Sequence, residues 1–148
     1  MREIVLDTET TGLDPFQGHR LIEIGCIELI NRFPSGQNFH RYVNPERDVP
    51  AEAIAIHGLS AEFLRDKPRF DEIADELAAF IADAPLVAHN AMFDLGFLNA
   101  ELERAGKVES TIRQKTRSRA VQIERQFTPP TIPPVGDTAA AARAAIPE

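Results

Sequence analysis

The 148-residue sequence has a single cysteine, no apolar run long enough to cross a membrane and no excess of positive charge, and each absence removes a class of function. Cys26 cannot pair within the chain, and among Leu21, Ile22, Ile24, Ile27 and Leu29 it reads as a buried thiol in a reducing compartment. The opening residues MREIVLDTE lack the apolar stretch of a signal peptide, and nowhere do about 18 apolar residues run together, so the expectation is a soluble, cytoplasmic protein with no membrane contact. A net charge of -7 argues against holding nucleic acid by a broad basic face. It leaves nucleic acid open as a substrate, because carboxylates loaded with divalent metal present positive charge. With 43% apolar and 26% charged residues the chain is neither disordered, collagen-like nor a disulfide scaffold. A chain of this length buries about 68–70% of its unfolded surface, enough for a real core.

The sequence changes character near Lys107. Residues 1–106 carry 19 acidic and 9 basic side chains, a balance of -10, whereas residues 107–148 carry 4 and 7, a balance of +3, and the two sum to -7. All four histidines and eight of the nine phenylalanines precede Lys107, while Pro129, Pro130, Pro133, Pro134 and Pro147 follow it. Residues 1–106 therefore read as a domain and residues 107–148 as an atypical, poorly packed tail.

Within 1–106, Ile4–Leu6 reads as a short buried strand ending at Asp7, and Leu21–Ile30 as a long central strand. Pro34-Ser35-Gly36 is expected to turn the chain into a third strand, Phe39–Val43. Ala51–His57 and Ala61–Arg65 look like short helices, and Phe70, Ile73, Leu77 and Phe80 to Ile81 fall at helical spacing up to about Ala82. Leu86–Ala88 is a short strand, and Ala91–Gly106 a helix with Phe93, Phe97, Leu98 and Leu102 on one face. Strands first, then helix and strand in alternation, predict an α/β mixed sheet with helices packed against it, Val87 lying parallel in the sheet that holds Val5. Beyond Lys107 the periodicity fades: 111–126 is helix-compatible, 128–134 is a proline-rich break, and 139–145 an alanine run.

The chemistry is expected at two strand ends. Asp7-Thr8-Glu9 spaces two carboxylates by two, so both leave the strand on one side and offer hard oxygens to Mg²⁺ or Mn²⁺. The bland reading has them cap the following loop. In the longer string Asp7-Thr8-Glu9-Thr10-Thr11-Gly12, small hydroxyl residues and a glycine let a substrate backbone approach closely. The second cluster, His89-Asn90-Ala91-Met92-Phe93-Asp94, puts Asp94 near a helix start, where it either joins Asp7 and Glu9 around a metal pair or serves as a macrodipole acid. His89 reads as a hydrogen-bonded core histidine and Asn90 as an N-cap.

These two clusters, together with Ile22-Glu23-Ile24-Gly25, Phe39-His40, Glu52-Ala53, Ile56-His57-Gly58-Leu59 and Asp66-Lys67-Pro68, carry a resemblance. Over residues 1–106 the sequence resembles the proofreading 3′–5′ exonuclease family of the ribonuclease H-like fold. The resemblance implies that Asp7, Glu9 and Asp94 are catalytic metal ligands for two divalent ions, Mg²⁺ or Mn²⁺. It implies that Glu52 and His57, with Asp7 and Glu9, contact the terminal nucleotide. It further implies a DNA 3′ end as substrate and a DNA polymerase III catalytic subunit and sliding clamp as partners.

The third motif of that family, a histidine five residues before a last aspartate, is missing. No histidine follows His89, and Ile132 stands five residues before Asp137. The expectation is a fold incomplete at its C-terminal side, through a shifted reading frame or truncation after about Gly106, and an impaired exonuclease. Two alternatives remain at this point: a non-enzymatic remnant of the fold, and an aspartyl-phosphate phosphotransferase in which Asp7 is the nucleophile.

Overall fold

The computed structural model describes residues 1–107 and the backbone of Arg117 and Ser118. In chain order it holds β1 (Arg2–Thr10), a 3₁₀ turn (Pro15–Gln17), β2 (Leu21–Ile30), β3 (Phe33–Tyr42), α1 (Ala51–His57), α2 (Ala61–Leu64), α3 (Phe70–Ile81), β4 (Leu86–Ala88), α4 (Ala91–Arg104) and β5 (Arg117–Ser118). The strands form one sheet in the order β3-β2-β1-β4-β5. β1, β2 and β3 are an antiparallel meander, and β4 runs parallel to β1 with Ile4 opposite Leu86 and Val5 opposite Val87, the placement the sequence predicts.

Alternation along β1 sets the core. Ile4 and Leu6 point to one face, where they meet Ile24, Cys26 and Phe39 of the neighbouring strands. Phe70, Ile73, Leu77 and Ile81, at helical spacing on α3, cover that face together with Leu98 and Leu102 of α4. Each such side chain, taken fully from water, contributes about 1.5–3 kcal/mol before entropy. A smaller cluster of Ile22, Val49, Ala53, Leu59 and Leu64 holds α1 and α2.

Three local expectations are corrected. β1 does not stop at Leu6 but runs to Thr10, because antiparallel pairing with β2 continues through Asp7 opposite Gly25 and Glu9 opposite Glu23. Pro34-Ser35-Gly36 is not a turn. The reversal occurs at Asn31 and Arg32, whose φ values of 50° and 71° give the doubly left-handed two-residue hairpin that matches strand twist. Pro34 is tolerated because β3 is an edge strand. Part of 111–126 is strand rather than helix: Arg117 and Ser118 lie parallel to Val87 and Ala88 and extend the sheet. The remaining expectations for the tail, including the proline-rich break, the alanine run and Asp137, lie outside the described residues.

Between Glu9 and Thr10 the register shifts, so that two steps along β2 oppose one along β1 and Ile22 is the extra residue. The bulge turns Ile22 into the smaller cluster while Leu21 and Ile24 stay in the main core. It thereby anchors α1 beside the C-terminal end of β1.

Candidate active site

At the C-terminal end of β1 the two-residue period separates three side chains. Asp7 is exposed and Glu9 half-buried on one face, while Thr8 between them is buried on the other. The Thr8 hydroxyl donates a 2.6 Å hydrogen bond to Oδ1 of Asp94, which comes down from the first turns of α4 and is itself buried. Burial pushes the Asp94 carboxyl up to about 6; the Thr8 hydroxyl opposes the rise and the nearby charge of Asp7 adds to it. The strand end of β1 and the start of α4 thus bring Asp7 and Asp94 into electrostatic contact, with Thr8 as the link.

The approach is not a closed ligand trio. Among the described residues no three His, Cys, Asp or Glu side chains are grouped closely enough to hold one ion. The donor chemistry nevertheless fits a hard divalent cation. All three groups offer carboxylate oxygens, and added positive charge would relieve both the burial penalty on Asp94 and its repulsion from Asp7.

His57 ends α1, and Gly58 follows it in the left-handed conformation, φ 73°. The Leu59 N–H donates to Nδ1 of His57 at 3.0 Å, so Nδ1 accepts and the ring proton resides on Nε2, which faces the Thr10 carbonyl at 3.2 Å. The structure therefore places His57 against the end of β1. Glu52 sits exposed on the first turn of α1.

One reading of the second cluster is corrected. His89 is exposed rather than a core histidine, because it follows the last buried residue of β4, Ala88. Asn90 occupies the expected N-cap position of α4, with no side-chain capping bond; its carbonyl accepts from the Phe93 and Asp94 N–H groups. Gly12 also has a different reason from the one expected. A Cβ there would lie 2.4 Å from ring atoms of His19, so the glycine makes room for an imidazole of this chain.

Sequence reasoning missed Thr8, Arg20 and Glu101. Thr8 was legible from period two, which turns it inward between two outward carboxylates. Glu101 was legible as an acid among the apolar positions Phe97, Leu98 and Leu102 of α4, where a charge requires a buried partner. That partner is Arg20, whose Nε and a terminal nitrogen meet the two Glu101 oxygens at 2.7 and 2.8 Å.

Residues 4–142 match the family model described as Exonuclease. The chain belongs to the exonuclease family. As a family member it is 63% identical over 102 residues to DNA polymerase III subunit epsilon of Rickettsia conorii, covering 69% of this chain and 44% of that protein. It is 52% identical over 104 residues to the subunit of the same name from Escherichia coli K12, covering 68% of this chain and 43% of that protein. The chain spans about half the length of the curated relatives it matches. Among solved structures, a zinc-bound E. coli exonuclease I complex with single-stranded DNA superposes with a TM-score of 0.68 at 16% identity, over 80% of this chain and 27% of that one. Exonuclease X in complex with 5′ overhanging duplex DNA superposes with a TM-score of 0.55 at 28% identity, over 64% of this chain and 52% of that one. The mixed sheet with flanking helices is the ribonuclease H-like exonuclease fold that the sequence resemblance implies. With the family established, the phosphotransferase alternative falls. No helix among the described residues is long and apolar enough to cross a membrane.

Proposed function

We propose that this exonuclease-family chain carries the metal-binding half of a 3′–5′ exodeoxyribonuclease site of the DNA polymerase III epsilon type, and that as a 148-residue chain it turns over slowly. The observation that carries the reading is the Asp7–Thr8–Asp94 arrangement, in which the Thr8 hydroxyl holds a buried helix carboxylate close enough to its strand neighbour Asp7 to feel that charge.

Asp7, Glu9 and Asp94 are the residues that would hold divalent metal, Mg²⁺ or Mn²⁺. When bound, such ions acidify a water and screen the charge of the scissile phosphodiester. The Thr8 hydroxyl holds Oδ1 of Asp94 and so limits the rotation of that carboxyl. Burial raises the Asp94 carboxyl to about 6, so the positive charge of a bound ion would favour its ionised form, and below about pH 6 binding would release a proton. His57 with Glu52 receives the 3′-terminal nucleotide in this reading. Its ring proton on Nε2 suits it to donate to an oxygen rather than to accept a proton from water. Within these 148 residues no histidine follows His89, so the residues present supply the metal ligands of the reading and not its proton acceptor. A positioned general base supplies typically about 10²–10⁴ in rate. The substrate is a DNA 3′ end, the product a nucleoside monophosphate, the partner a DNA polymerase III catalytic subunit, and the setting the cytoplasm.

The test is mononucleotide release from a labelled single strand with Mn²⁺, run beside an epsilon subunit that has the histidine. The expected result is release about 10²–10⁴-fold slower, ordered from the 3′ end and abolished by Asp7→Ala. Turnover equal to that of the epsilon subunit would overturn the impairment, and release untouched by Asp7→Ala would overturn the site.

A further inference from the structure

Glu101 is 1% exposed, yet it carries a charge and stands seven residues after Asp94 on the same helix, two turns along the same face. Its oxygens take a bidentate fork from Arg20 at 2.7 and 2.8 Å, and Oε1 also accepts the Leu21 N–H at 3.2 Å. Arg20 is in turn tied to the end of the Asp7-Thr8-Glu9-Thr10-Thr11-Gly12 string. Its N–H donates to the Thr11 hydroxyl at 2.9 Å, and its carbonyl accepts the Thr11 N–H at 2.8 Å. The Thr11 hydroxyl also bonds Nδ1 of His19 at 3.0 Å, and the His19 ring lies over Gly12. Pro15, within the same loop, packs toward Gly96 of α4, and its carbonyl accepts from Arg104 at 3.3 Å.

Helix α4 is therefore fastened to the strand-end loop at two levels: by Asp94 to Thr8, and by Glu101 through Arg20 to Thr11. We propose that Glu101 is a positioning residue of the nuclease site, acting through Arg20 to fix the spacing between the carboxylates of β1 and Asp94 on α4. The inference rests on the metal-site reading above. A buried ion pair is weak evidence for stability as such, because its desolvation cost offsets its attraction. Here its three-way connection from α4 to Thr11 and Leu21 gives it a geometric task. Loss of the fork removes the tie that sets α4 against the end of β1, and with it one constraint on where Asp94 stands relative to Asp7.

The test uses the full 148-residue chain with Glu101→Gln, which keeps the shape and removes the charge, and Arg20→Lys, which keeps the charge and removes the fork. Arg2→Lys is the control: Arg2 clamps the opposite end of β1, donating to Glu28 and to the carbonyls of Phe80 and Ile81, far from Asp94. Two quantities are read on folded protein, the Mn²⁺ dissociation constant and hydrogen exchange at the Thr11 amide. Removing the support of a metal ligand typically costs about 10–100-fold in metal affinity. The expected result is weakening in that range for Glu101→Gln and Arg20→Lys with faster Thr11 exchange, and neither change in Arg2→Lys. Unchanged Mn²⁺ affinity in Glu101→Gln, or equal weakening in Arg2→Lys, would overturn the positioning role alone. Absence of Mn²⁺ binding in the unmodified chain would overturn the metal-site reading and this role with it.

Discussion

Replacing Asp94 by asparagine should make the protein more stable at neutral pH while weakening its hold on metal. The carboxyl titrates near 3.8 in an unfolded chain and at about 6 in the fold, chiefly because burial disfavours its charge. Between those values the native state binds more protons than the unfolded state, so stability falls as pH rises through that window and stays lower above it. A rise of about two units corresponds to about 3 kcal/mol at 1.36 kcal/mol per unit, an upper figure for a residue with some solvent access. The substituted amide would keep an oxygen to accept the Thr8 hydroxyl and would carry no charge to desolvate. Urea unfolding in chelator should show Asp94→Asn more stable by about 1–3 kcal/mol at pH 7.5, with the gap closing by pH 4. Saturating Mn²⁺ should stabilise the unmodified chain at pH 7.5 and stabilise Asp94→Asn much less. An Asp94→Asn variant less stable at pH 7.5 than at pH 4, relative to the unmodified chain, would refute the reasoning, since Asp94 would then be a carboxylate that the fold stabilises.

Glu101→Ala leaves the Arg20 fork without its acceptors in a nearly buried place and should cost about 3–5 kcal/mol in urea unfolding, as broken buried pairs do. Gly12→Ala drives a methyl into the His19 ring, so a loss of about 1–3 kcal/mol is expected, recovered in part by the double change Gly12→Ala with His19→Ala. Burial raises the Cys26 thiol far above its ordinary range, so a disulfide reagent should label it at the rate of unfolding and not before. Labelling complete within seconds in native buffer would contradict that.

The sheet was legible because burial on one face leaves a period-two or a continuous apolar record, and the helices because Phe70, Ile73 and Leu77 repeat at a helical period. The hairpin turn was not legible: left-handed φ at Asn31 and Arg32 is imposed by pairing of the long strands on either side, whereas Pro34-Ser35-Gly36 looks like a turn in isolation. Asp7, Glu9 and Asp94 stand out in the sequence through the motifs that surround them. Their relation in space was only partly legible, because it depends on which side of β1 receives α4, and Thr8 rather than a carboxylate turned out to face that helix. His89 was misread since its apolar neighbours belong to β4 and the strand ends one residue before it. Glu101 went unseen because its partner, Arg20, lies 81 residues away, and pairing over such a distance leaves no mark in local spacing.

The measurement that reaches the central claim most directly is an electron paramagnetic resonance titration of Mn²⁺ into the unmodified chain, Asp7→Asn, Glu9→Gln and Asp94→Asn. The account predicts saturable Mn²⁺ binding that displaces a proton between about pH 5 and pH 7, lost in Asp7→Asn and weakened in the other two. Equal Mn²⁺ binding by all four proteins would contradict it.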